Sequence, residues 1–255
     1  MMNSHAWILA LFLAMIGQNI ALAGPSISES IGEPEREIIV PEKAFIPTGF
    51  DDNDLVELVV TGNLPSTCYS AGIFTAVPFV DEKKIVIKQE ALFYPKSWCS
   101  LNLVPYRETV KVGVLPAGQY EVVFVTPEAK LAASGKAVTV GVSKITSRDE
   151  FTYAVIENVA LKRVEVSASA APRRILLEGS LVNSCMSLKE VRIVQNDADV
   201  IELLPITQTS TDALICQPQL RPFEVEVELP MGLSGEKLIH VRSLNGQAIN
   251  RVFRF

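Results

Sequence analysis

The chain has 255 residues, 48% of them hydrophobic and 20% charged, and its 23 Lys and Arg against 29 Asp and Glu leave a formal net charge of −6. Neither half is polarised, because residues 35–150 carry 12 basic and 15 acidic side chains and residues 151–255 carry 11 and 12. A basic stripe is the footprint of a nucleic-acid binder, and the loose grouping of Lys162, Arg163, Arg173 and Arg174 does not make one, so nucleic acid is excluded as a partner class.

Residues 1–23 have the order of a secretory signal peptide. An apolar run from Ala6 to Ile16 meets a polar break at Gly17-Gln18-Asn19, and small residues follow at Ala21 and Ala23, which predicts cleavage after Ala23. The run stops well short of the roughly 20 apolar residues of a membrane-spanning helix, and no later stretch is longer. The expected mature chain therefore has no transmembrane segment and is exported, to the periplasm or the medium. Residues 24–34 mix Pro, Ser, Gly and Glu without an apolar period and predict a flexible lead.

From there the pattern is that of strands. Leu55 to Thr61 alternates and is rich in Val, Ile73 to Val80 is β-branched and aromatic, and Lys84 to Phe93 alternates again. Leu103 to Val114, Gln119 to Val125 and Lys136 to Val142 complete a first set. Pro127 to Ser134 is the one stretch that suits a short helical turn. A second set runs through Ile175 to Glu178, Val191 to Gln195, Val200 to Leu204, Phe223 to Leu229, Leu238 to Val241 and Ala248 to Phe255. Its last hairpin is predicted from Asn245-Gly246, a dipeptide that accepts the positive φ of a tight turn.

The two sets are copies. Cys68 and Cys99 are 31 residues apart, as are Cys185 and Cys216, and the pairs are offset by 117. At that offset Gly62 falls on Gly179, Leu64 on Leu181, Pro105 on Pro222, Tyr106 on Phe223 and Gly118 on Gly235. Such a period is too long for a solenoid and suits a duplicated domain, giving one unit over 35–150 and another over 151–255. Short strands with turns every 8 to 12 residues indicate an all-β chain of two tandem immunoglobulin-like β-sandwich domains.

Four cysteines allow three pairings. A bond that recurs identically in each self-contained copy must join Cys68 to Cys99 and Cys185 to Cys216. Both members of each pair lie in connections between strands, which predicts a staple at one end of each sandwich. An immunoglobulin bond, by contrast, crosses the core beside a buried Trp.

The strings G-x-L-P-x-x-C, a second Cys followed by L-x-P-Y or L-x-P-F, and L-P-A-G-Q-Y-E-V resemble exported bacterial proteins of uncharacterised role that carry immunoglobulin-like or related β-sandwich repeats. In the second copy L-P-A-G-Q-Y becomes G-L-S-G-E-K. The resemblance implies fold and export, and it brings no catalytic residues.

The chemistry available is sparse. His5 leaves with the signal peptide, so His240 alone remains, too few for a multi-histidine zinc site. It alternates with Ile239 and Val241 and reads as an ordinary strand residue. Ser134-Gly135-Lys136 and Ser187-Leu188-Lys189 place hydroxyls near amines, but a working dyad needs a desolvated lysine, and Lys136 is expected at an exposed hairpin. Phosphate loops are absent. Asp51, Asp52, Asn53 and Asp54 form the one candidate cofactor site, for calcium, with Asp197-Ala198-Asp199 as a possible second element; the alternative is a turn whose carboxyls bond nearby amides. No other cofactor is expected.

These features describe an exported, non-catalytic binding or structural module that meets a protein or envelope component through loops or an edge strand. Two alternatives stand beside it. One is a protease inhibitor or modulator using the loop Tyr94 to Cys99, and the other is an extracytoplasmic hydrolase with convergent carboxylates.

Overall fold

Alternation with a period of two puts one apolar face on each run, and burying those faces makes strands of nearly all of them. The structure is a computed structural model that describes residues 33–95, 98–162, 173–211 and 215–255. The proposed leader and most of the lead lie outside the described residues, as do Lys96, Ser97 and Arg163. No helix among the described residues is long and apolar enough to cross a membrane.

In the first copy the strands are β1 (Glu35–Ile38), β2 (Lys43–Phe45), β3 (Phe50–Asp51), β4 (Val56–Leu64), β5 (Tyr69–Phe79), β6 (Lys84–Phe93), β7 (Val104–Gly113), β8 (Gly118–Val125) and β9 (Leu131–Gly141). The second contains β10 (Val155–Lys162), β11 (Arg174–Leu181), β12 (Met186–Asp197), β13 (Val200–Thr209), β14 (Arg221–Glu228), β15 (Glu236–Ser243) and β16 (Gln247–Arg254). The 117-residue offset carries β4 through β9 onto β11 through β16.

Each copy is a two-sheet sandwich. In the first, β2, β4 and β7 form one antiparallel sheet, and β5, β6, β8, β9 and β3 form the other, with β1 beside the end of β6. In the second, β10, β11 and β14 face β12, β13, β15 and β16. One departure from an all-antiparallel immunoglobulin pattern occurs in both copies. The pairs β6 with β8 and β13 with β15 are parallel, because the strand between them in sequence crosses to the opposite sheet. Side chains such as Leu58, Ile85, Ile87, Tyr120 and Val138 fill the first core, and Ile175, Leu177, Ile201, Leu203 and Ile239 fill the second.

The matched glycines have a packing cause. Gly62 pairs with Tyr106 and Gly179 with Phe223 across equivalent ladders. A Cβ on Gly62 would lie 2.4 Å from the Tyr106 hydroxyl, and one on Gly179 would lie 3.1 Å from the Phe223 ring and 2.1 Å from the Val155 carbonyl oxygen. An aromatic ring covers the bare backbone of its partner strand, so both members of the pair recur together. Asn245 and Gly246 take φ of 62° and 68°, as the dipeptide predicts.

Pro127 to Ser134 is not helical. Thr126 and Lys130 close a hairpin, and residues from Leu131 onward belong to β9, where Ala133 pairs with Val123. An eight-residue stretch gains little from a helix by itself, and the ladder to β8 satisfies its backbone instead.

The copies are not beads on a string. Phe45 and Val59 pack against Val200, Leu238 and Val252 in a separate apolar cluster. The outer face of the β2–β4 sheet thus meets the outer face of the β13–β15–β16 sheet. That explains why Val56, Leu58, Val59 and Val60 are all buried on β4, and every residue from Leu238 to Ser243 on β15.

Candidate functional site

The staples sit where the spacing places them. Cys68 is bonded to Cys99 and Cys185 to Cys216, with Cα atoms 5.2 and 5.3 Å apart. Each joins the turn before one strand to the long connection that precedes β7 or β14. The surrounding hydrogen bonds repeat as well. Thr67 N–H donates to the Ser100 carbonyl while Ser100 N–H donates to the Thr67 hydroxyl, and Ser184 and Gln217 exchange the same two bonds in the second copy. Beyond the staple the connection is bare: Trp98 is 99% exposed, and Leu101 and Ile215 are exposed too. Of the proposed inhibitor loop Tyr94 to Cys99, Lys96 and Ser97 lie outside the described residues.

The acidic run is built into the backbone of a turn. Asp54 accepts from the Asp51 N–H at 3.0 Å, Asp52 from the Ser143 N–H at 2.9 Å, and Asn53 donates to the carbonyls of Ile145 and Ser147. Asp197 and Asp199 are occupied elsewhere, since Lys136 pairs with Asp197 at 2.9 Å, and Lys43 and Lys237 pair with Asp199 at 3.0 and 3.2 Å. Among the described residues no group of three or more His, Cys, Asp or Glu side chains is placed to hold a metal ion.

Lys136 corrects the expectation of an exposed hairpin amine. It is half-buried between the copies by its pairing with Asp197, while the Ser134 hydroxyl donates to the Val122 carbonyl at 2.6 Å. Lys162 and Arg174 both pair with Glu226, which neutralises two members of the loose basic group.

His240 also departs from the sequence reading of an ordinary strand residue. Its side chain does point away from Ile239 and Val241, but that face is the junction between copies, and His240 is fully buried. Its Nδ1 lies 2.8 Å from Asn250 Oδ1, and Asn250 in turn donates to Glu57 of the first copy at 2.6 Å. Burial above all, with the nearby Arg242 adding to it and the Asn250 contact opposing, lowers the imidazole pKa to about 3.

Around His240 the junction gathers charge. The Thr48 N–H and hydroxyl both donate to Glu202 Oε1, at 2.5 and 2.6 Å. Arg242 donates to the Gly49 carbonyl at 3.1 Å, lies 3.8 Å from Asp54 and stacks over the Phe50 ring. Gly49 reaches this geometry with φ of 70°, a left-handed conformation natural to glycine. Burial pushes the carboxyls of Asp54, Glu57, Asp149 and Glu202 up from their ordinary range, and in each case hydrogen bonding opposes it first, with Arg242 opposing more weakly. A cavity of about 150 Å³ opens beside this group, lined by both copies and by the segment joining them.

The depressed imidazole has a consequence for acid stability. Unfolded histidine titrates near 6.5, so between that value and about 3 the unfolded chain binds a proton that the folded chain refuses. The contribution is full above pH 6.5 and is lost as the pH falls. The raised carboxyls act oppositely, favouring the folded state at low pH. Comparison with His240→Gln isolates the histidine. The stability difference between wild type and variant should move by roughly 2 to 3 kcal/mol against the wild type between pH 7 and pH 4, read by urea denaturation. A difference independent of pH would contradict a buried neutral imidazole.

A second feature lies at the rim of the first copy. Among the described residues β5 pairs only with β6 and so is an edge strand. From Tyr69 to Val80 it has no charged residue, and Ile73, Val77 and Phe79 are exposed on its outer face. Its counterpart β12 carries Lys189, Glu190 and Arg192, the charges that ordinarily guard an edge.

The pattern of one family matches in both copies, over residues 58–131 and 175–255, and its description is the ORF11 beta-sandwich domain. The two segments begin 117 residues apart, the offset of the internal repeat. No curated protein and no solved structure matches the chain. With more than half of the 255 residues matched, two stapled sandwiches in the fold and the same starting point in each copy, the protein belongs to the ORF11 beta-sandwich domain family.

Proposed function

We propose that this is an exported, non-catalytic binding module that recognises an extended segment of a protein partner in the cell envelope by adding it as a strand to β5. The observation that carries the reading is the uncharged edge. Proline is tolerated in a strand where its missing N–H faces away from the neighbouring strand, so Pro78 faces away from β6. By the two-residue alternation Phe74 and Ala76 present their backbone groups to the same side. An incoming strand would gain main-chain hydrogen bonds there, while Ile73, Val77 and Phe79 offer apolar contact. The charged β12 gives the second copy no comparable edge and leaves it the role of a support, packed against the first copy at the junction.

Two further features support export and absence of catalysis. Paired cysteines suit an oxidising compartment, and His240 is sealed from solvent, out of the hydrogen-bond reach of a substrate that a general base needs.

The test uses the oxidised protein as bait with envelope extracts. Ile73→Lys combined with Val77→Lys should reduce capture of the partner at least tenfold, and Arg192→Ala on β12 should leave it unchanged. In the complex the amides of Phe74 and Ala76 should become protected from hydrogen exchange. Undiminished capture by the double lysine variant would refute the edge as the docking element.

A further inference from the structure

The cavity at the junction has the makings of a second binding site, independent of β5. Its floor is formed by Asp54, Glu202 and Arg242, all buried, while Gly49, Arg148 and Glu150 are exposed at its mouth. Five of its lining residues are acidic, Asp51, Asp54, Asp149, Glu150 and Glu202, against two arginines.

Charge alone would not distinguish a site from a solvated junction, but unmet hydrogen bonding does. Asp54 is 4% exposed and its Oδ2 is engaged by the Asp51 N–H, yet its Oδ1 is buried and accepts no hydrogen bond. The same holds for Asp149, whose Oδ2 accepts from the Gly246 N–H while its buried Oδ1 has no donor. Buried carboxylate oxygens of this kind call for a donor. Arg242 does not supply it: this guanidinium bonds the Gly49 carbonyl, covers the Phe50 ring and stays 3.8 Å from Asp54. At about 150 Å³ the cavity has room for several non-hydrogen atoms.

We infer that this cavity binds a primary ammonium group, with Asp54 and Asp149 accepting its hydrogen bonds and the Phe151 and Leu204 side chains flanking its alkyl stem. An ammonium has three donors and no acceptor, which matches two unmet carboxylate oxygens better than a neutral or anionic group does. The ammonium would come from a lysine of a protein partner or from a small free amine.

Titration of the intact oxidised protein with n-butylammonium, followed by ¹H–¹⁵N chemical shifts, should give saturable shifts confined to Thr48–Asp54, Arg148–Tyr153, Val194, Glu202–Leu204 and Arg242. Asp149→Asn keeps the oxygen that meets Gly246 and should weaken binding at least fivefold. Val194→Phe, which leaves every charge in place and fills the cavity from β12, should abolish it. A lysine-containing peptide binding more tightly than the free amine would assign the ligand to a protein partner, and tighter binding of the free amine would assign it to a small molecule; an acetyl-lysine peptide should fail in either case. Linear, non-saturating shifts, equal binding of 1-butanol, or unchanged affinity in both variants would overturn the inference.

Discussion

Arg242→Met should destabilise the protein by about 3 to 5 kcal/mol at pH 7.5, the range seen when one member of a buried charged group is removed. The residue is 6% exposed, and it is the buried cation among Asp54, Glu57 and Glu202, which sit in or beside the same junction. Without it those carboxyls keep their desolvation cost and lose the Coulombic attraction that offsets it. They escape by taking up protons. A carboxyl whose folded pKa is raised contributes stability below that value and loses it as the pH rises. The loss measured for the variant against wild type should therefore shrink on going from pH 7.5 to pH 5. Adding Asp54→Asn should recover part of the loss, because the two groups are coupled and their effects do not add. Urea denaturation of the single and double variants at both pH values checks this. A loss under 1 kcal/mol at pH 7.5, or one that grows on acidification, would mean that Arg242 is not what holds these carboxylates in the junction.

Removing either staple should cost a similar amount. With the cysteines of each pair 31 residues apart, the chain-entropy account gives about 3 to 4 kcal/mol per bond, a large share of the stability of a domain of about 100 residues. The paired changes Cys68→Ala with Cys99→Ala, and Cys185→Ala with Cys216→Ala, should lower the denaturation midpoint by comparable amounts. The reciprocal bonds between Thr67 and Ser100, and between Ser184 and Gln217, hold the same connections. In the variants those amides should exchange before the strands open. Near-wild-type stability of either double variant would show that its connection is held by packing. The fully exposed Trp98 and the largely exposed Ile215 beside the bonds argue against that outcome.

Much of this was legible in the residues because it rests on local rules. The 117-residue offset of the cysteines, of Gly62 with Gly179 and of Tyr106 with Phe223 announces two copies of one fold. The alternation of β6 and of β16 identifies strands from a single sequence. A bond that must recur in each copy selects the cysteine pairing. The acidic run at 51–54 was open between calcium and a turn, and what its side chains bond is set by backbone amides as distant as Ser143. The parallel pairs at the centre of each sandwich were not visible either, since hydrophobic alternation is the same whichever way the neighbouring strand runs.

The junction lay furthest from view. His240, Arg242 and Glu202 alternate with Ile239, Val241 and Leu203, so their sequence pattern is that of a strand with one wet face. By itself the sequence determined the class, the duplication and the disulfides, because periodicity, spacing and turn chemistry are properties of neighbouring residues along one chain. Only the tertiary structure decided that the polar face of the second copy is covered by the first. The contacts from Glu202 to Thr48, from Arg242 to Gly49 and from Asn250 to Glu57 span 154, 193 and 193 residues. The burial of a charge depends on what packs over it, and no local pattern records that.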